Sequence, residues 1–236
     1  MKRAEANILP FPSRPHAAPP ADVADLRFRT LIGESDWARL PAAVQARFGR
    51  HIGAGRSILY AGEIVECRMS RCGRLLAQAL RPIGAPLPLS RDAFVPASVS
   101  VTEDAASGSQ FWTRIYGRAA PSISLGTGFP QVIRSAKSFR GPTGLEEYLG
   151  CGIGIALRVA VEDGALHFLS DHIFVRIGRL RLRLPALLSP GRMRVSHVDC
   201  GHGWFAFVLR LDHPWLGALV RQTALFREHV AAEEAL

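Results

Sequence analysis

The densest group of side chains able to do chemistry is His197-Val-Asp199-Cys200-Gly-His202. Imidazole, carboxylate and thiolate are all metal ligands, and histidines at 197 and 202 can meet at a hairpin tip. Asp, Gly and His are also ordinary turn residues, and strand alternation puts His197 and Asp199 on one side. A polar turn between two strands is the preferred reading. His197, Asp199 and His202 are kept as metal candidates, and no cofactor is expected.

A second group is Trp112-Thr113-Arg114. In a strand Trp112 and Arg114 share one face. An arginine facing the inside of a curved sheet needs a carboxylate, because a buried unpaired charge is strongly destabilising. Glu63, Glu146 and Glu147 are the candidate partners. Such a pair either orients a ligand or locks the sheet. A third group, Arg179, Arg181 and Arg183, lines one side of a short alternating segment. It reads as the solvated face of an antiparallel sheet, with an anion or lipid head-group site as the competing interpretation.

Several chemistries are excluded by residue supply. Neither Lys2 nor Lys137 follows a glycine, so a phosphate loop of the Gly-Lys type cannot form. The sequence contains no G-x-S-x-G elbow, no H-E-x-x-H and no C-x-x-C. Gly152-Ile153-Gly154 resembles the start of a dinucleotide fingerprint, but Leu157 stands where the third glycine belongs. The residues that follow read as a strand, whereas a phosphate site needs a helix N-terminus there.

Composition narrows the partners. The chain has 236 residues, 48% apolar and 21% charged, with a net charge of +9. That is ordinary globular composition with material for one sizeable core. The charge on its face favours an anionic partner, but two of the 29 basic residues are lysines, which leaves 27 arginines. That skew, with abundant Ala, Gly and Pro, is also what codon bias produces. The basic residues are not interleaved with stacking aromatics, so no specific nucleic-acid partner is expected. The uncharged run Tyr148 to Leu157 is far short of the roughly 20 residues a spanning helix needs, and it is read as a buried strand. Met1-Lys2-Arg3 lacks the apolar region of a signal peptide. Cys67, Cys72, Cys151 and Cys200 do not form a disulfide framework, so a cytoplasmic protein is expected.

The elements that must position these groups follow from periodicity. Residues 1–22, rich in Pro and Ala, read as a disordered tail, 23–228 as a single β-rich domain, and 229–236 as a C-terminal tail. A helical start spans about 25 to 49, with Pro41 opening one helix. Ser57 to Met69 alternates as a strand with Gly62 as its bulge. Gly73 to Leu80 reads as a helix with Leu75, Leu76, Ala79 and Leu80 on its apolar side. From Phe94 strands dominate: Val95 to Val101, Phe111 to Tyr116, Val132 to Phe139, and Ile153 to Val161, which turns at Asp163-Gly164. A further hairpin crosses Cys200 to Gly203, and Leu216 to Phe226 is a strand or a short helix. Hairpins in series without a βαβ rhythm predict an α+β fold: a mainly antiparallel curved sheet, barrel or half-barrel, with a few short N-terminal helices.

Several short motifs, in order, carry a resemblance. They are Tyr60-Ala-Gly62, Gly73-Arg-Leu-Leu76, Trp112-Thr113-Arg114, Glu147-Tyr148 with Gly150, Leu184-Pro185 with Pro190, and His213-Pro214-Trp215-Leu216-Gly217. From about Leu26 to Phe226 the chain resembles the bacterial family of domain of unknown function 4166. That family has no assigned activity. Its members stand alone or are fused to NAD-binding domains like those of saccharopine-dehydrogenase-like reductases. The resemblance therefore implies an accessory role beside a reductase. The chain departs from the family in the Ser/Gly/Pro-rich stretch Ala119 to Phe129 and in Val220-Arg-Gln-Thr-Ala.

Three functions are weighed. The first is a non-catalytic module binding an apolar or lipid-like ligand in a curved-sheet cavity, with Tyr60, Trp112, Arg114, Arg134, Glu147 and Arg183 as ligand-binding candidates. The second is a protein-interaction domain of an NAD-dependent reductase. The third is a metal-assisted enzyme using the 197–202 cluster. The binding module is preferred.

Overall fold

The computed structural model describes residues 24–53, 56–118 and 129–229. The expected tail at 1–22 lies outside the described residues, as do most of the stretch after Ala119 and nearly all of 229–236. The described strands are β1 (Ser57–Met69), β2 (Val95–Glu103), β3 (Gln110–Tyr116), β4 (Gln131–Ser138), β5 (Leu145–Gly150) and β6 (Ile153–Glu162). They continue with β7 (Ala165–Ile177), β8 (Leu180–Arg183), β9 (Arg192–Gly201), β10 (Trp204–His213) and β11 (Gly217–Glu228). All pair antiparallel in the order β6-β5-β4-β3-β2-β1-β11-β10-β9-β7-β8, and the β6–β7 pairing closes ten of them into a barrel. The curved sheet is thus a full barrel. Closure leaves few unpaired backbone edges, which an open sheet would present to solvent.

Turn chemistry explains much of the order. Asp163-Gly164, His202-Gly203 and Cys151-Gly152 all adopt positive φ (50° and 71°, 52° and 78°, 49° and 76°). A two-residue hairpin loop whose twist matches the flanking strands needs two such residues. The third of these turns corrects the reading of Tyr148 to Leu157 as one strand. Those residues are the end of β5, a tight turn, and the start of β6.

Other readings change in detail. The expected bulge at Gly62 lies instead between Ile64 and Glu66, where the β1–β11 register shifts. Gly62 permits a close approach of β1 to β11, since a Cβ there would sit 1.8 Å from the Leu225 carbonyl oxygen. The last segment is a strand, β11, and not a helix. The helical start resolves into three short helices, α1 (Arg27–Ile32), α2 (Glu34–Ala38) and α3 (Ala42–Phe48). Pro41 sits just before α3, at its N-cap.

These three helices plug one end of the barrel. Phe28 and Phe48 enter it and meet Phe168, each at a ring-centroid distance of 5.9 Å. An ionic clasp holds the plug to the β2 rim. Arg27 Nη2 lies 2.6 Å from Asp25 Oδ2 and 2.8 Å from Glu103 Oε2. The other end is roofed by α4 (Arg71–Ala79), whose Ser70 cap accepts a hydrogen bond from the Gly73 N–H at 3.0 Å. The buried side of α4 is Gly73, Leu76, Ala77 and Leu80, the spacing of 3.6 residues per turn. Leu75 and Ala79, expected on that side, face solvent. Among the described residues, no helix is long and apolar enough to cross a membrane.

Candidate functional site: a barrel cavity with a charged floor

Alternation along β3 sends Gln110, Trp112, Arg114 and Tyr116 inward, and alternation along β4 does the same for Ile133, Ser135 and Lys137. The β4–β5 register sets Lys137 opposite Glu147. Three of these side chains converge on one oxygen. Glu147 Oε1 accepts from Ser135 Oγ at 2.6 Å and from Arg114 Nη2 at 3.3 Å, and lies 3.1 Å from Lys137 Nζ. Arg114 Nη1 also donates to Ser135 Oγ at 3.1 Å. All four residues are buried. The expectation that an inward Arg114 needs a carboxylate is met by Glu147; Glu63 is exposed, and Glu146 pairs with Arg181 at 2.8 Å.

The electrostatics of this layer follow from burial and from its charges. Burial pushes the Glu147 carboxyl up, but the attraction of Lys137 and Arg114 and the Ser135 hydrogen bond overcome it and hold it at about 2. Burial pulls the Lys137 ammonium down to about 8, Arg114 adds to that, and Glu147 resists it. At neutral pH the layer carries two cations and one anion. Aromatic faces soften the excess: Lys137 Nζ lies 4.6 Å from the Trp112 ring centroid.

On the roof side of this layer is a cavity of about 300 Å³, at the lower bound of small-molecule pockets, which run to about 1,000 Å³. Its walls are aliphatic, with Ile133, Ile155, Val195 and Leu209 among them, and its roof includes Leu76 of α4 and Leu80 at its C-cap. Arg114 and Glu147 face it from the charged layer. The barrel wall is interrupted beside it. β7 pairs with β9 only over Leu166 to Leu169, then with β8 over Phe174 to Ile177. Leu184, Leu188 and Pro190, which connect β8 to β9, cover that seam and line the cavity. Where the seam begins, Ser170 Oγ accepts from the Met193 N–H at 2.8 Å.

The other sequence candidates are dispersed. Trp112 is buried in the charged layer's neighbourhood, and its Nε1 has no hydrogen-bond partner among the described residues. Tyr60 is buried at the plug end against Phe205, and burial raises its phenol to about 12. Arg134 is exposed on the outer wall, because parity on β4 sends Ile133 and Ser135 inward. Arg183 is exposed on β8, outside the closed barrel. Arg181, its neighbour in the stripe, covers the Phe174 ring at 4.0 Å.

His197, Asp199 and His202 do not gather. His197 is buried in an aromatic cage, stacked on Phe205 at 5.9 Å with Phe48 edge-on at 4.9 Å. Burial and the nearby Arg47, Lys137 and Arg114 cations push its pKa well down, so the ring is neutral. His202 is exposed at the turn. Among the described residues, the group of three whose ligand atoms all lie within 4.8 Å of one another is Asp25, His51 and Glu103, and Arg27 already occupies both of those carboxylates. Lys137 was missed by sequence reasoning. Its signal was available: it is one of only two lysines in the chain, and it shares the inward parity of Ile133 and Ser135.

Fold and site together define the class: a closed antiparallel β-barrel, plugged by helices at one end, with an apolar cavity above a buried ionic layer. The chain belongs to the family of domain of unknown function 4166, whose profile matches residues 40–226. No curated protein matches it.

Proposed function

We propose that this protein is a non-catalytic binding module that holds an apolar, lipid-like molecule inside the barrel. The observation that carries the reading is the cavity of about 300 Å³, lined mostly by aliphatic side chains above a polar floor. Apolar walls provide affinity in rough proportion to the area they remove from water, and a few fixed polar groups orient the guest. The same proposal takes the protein as bacterial and cytoplasmic, with one domain over 23–228. It also includes an accessory relation to a saccharopine-dehydrogenase-like reductase, which rests on the family resemblance.

Filling the cavity tests the reading. Leu209 is 8% exposed and lines the cavity wall. Decanol titrated calorimetrically into the wild type should bind at one site. Leu209→Trp should weaken it by at least about tenfold, the equivalent of about 1.4 kcal/mol, while cooperative thermal unfolding is kept. Equal binding by a folded variant places decanol elsewhere and contradicts the proposal.

A further inference from the structure

Resting on that reading, we propose that the ligand is a monoanion: a carboxylate on an apolar chain, head down on Arg114. Three observations lead there. The buried layer holds two cations, Arg114 and Lys137, against one described carboxylate, Glu147. Of the two cations, Arg114 is the one that lines the cavity. It is 7% exposed, and its Nε, although buried, has no hydrogen-bond partner among the described residues.

A buried donor on a charged group is costly to leave unmade. A surplus cation in a low-dielectric interior favours an anion that can be desolvated beside it. The other polar groups near the cavity fit this role less well. Ser170 Oγ is engaged by the Met193 N–H, the Tyr116 phenol is held protonated by burial, and Gln222, also in the lining, carries an uncharged amide.

The charge count sets the class of head group. One negative charge brings the layer to neutrality. A doubly charged phosphate monoester would leave it negative. A carboxylate also matches the planar guanidinium, which offers parallel donors to two oxygens. The apolar walls take the chain.

Calorimetric titration of decanoate, decanol and decyltrimethylammonium into the full-length protein tests the head group separately from the cavity. Decanoate should bind at least about tenfold more tightly than decanol, as expected for hydrogen bonds to a charged group, and the cation should not bind measurably. Arg114→Met should remove that preference, so that decanoate binds no more tightly than decanol to the variant. The wild-type ratio needs no variant, so it stands even if Arg114→Met fails to fold. Equal affinities for decanoate and decanol overturn the head-group proposal and leave the cavity reading intact. Binding of neither overturns both.

Discussion

Replacing Glu147 by Leu should cost about 3–5 kcal/mol of stability at pH 7, the range for breaking a buried ion pair from one side. The variant strands Arg114 and Lys137 together in the interior, both of which now rely on the same oxygen. Adding Lys137→Met should recover about 1 kcal/mol or more, because one stranded cation is gone and the two sites are coupled. The loss should also depend on pH. The Glu147 carboxyl sits at about 2 in the folded chain against an ordinary 4.5. Its contribution is therefore complete above about 4.5 and disappears as the pH falls towards 2. Urea unfolding of wild type and Glu147→Leu should show a large difference at pH 7 and a smaller one at pH 3. An equal difference at both, or none at pH 7, would mean that Glu147 does not neutralise the layer.

Gly73→Ala should also have a large effect, and here helix propensity and packing act with opposite signs. In an exposed helix the change should stabilise by about 1 kcal/mol. In α4 the added Cβ would lie 2.0 Å from the Leu219 carbonyl oxygen and 2.8 Å from its carbon. Those are backbone atoms of β11, which is held on both edges by β1 and β10, so the helix must move. Overpacking of this kind costs about 1–3 kcal/mol, and the depth of this clash places it at the upper end. We expect a net loss of about 2 kcal/mol. Because α4 carries Leu76 and Leu80 into the cavity roof, decanol binding should weaken with it. A rise in the thermal midpoint would show that α4 does not pack this closely.

The barrel was legible in the sequence where local chemistry decides structure. Asp163-Gly164 marked its turn because few residue pairs tolerate two positive φ values in succession. The inward pairing of Trp112 with Arg114, and the need for a carboxylate beside the arginine, followed from parity and the cost of burying charge. Which glutamate answers that need was not legible. The choice among Glu63, Glu146 and Glu147 depends on strand register, a non-local property, and Glu147 was fixed by its place opposite Lys137. The strand that carries it went unread for a related reason. The uncharged run through Gly150-Cys151-Gly152 hides its turn from a hydropathy pattern. Arg134 lies on the outer face of β4, as the parity of Ile133 and Ser135 implies. The cavity was expected only as a class of feature. Its place depends on β7 leaving β9 for β8 halfway along, which no local pattern encodes.

Native mass spectrometry of the protein purified from its own host shows whether the barrel carries a guest. The expected mass is above the 25.7 kDa of the bare chain. One bound amphipathic molecule should account for the difference, and it should be released on denaturation in organic solvent. A population entirely at the mass of the bare chain, under conditions gentle enough to keep the barrel folded, would contradict the proposed function.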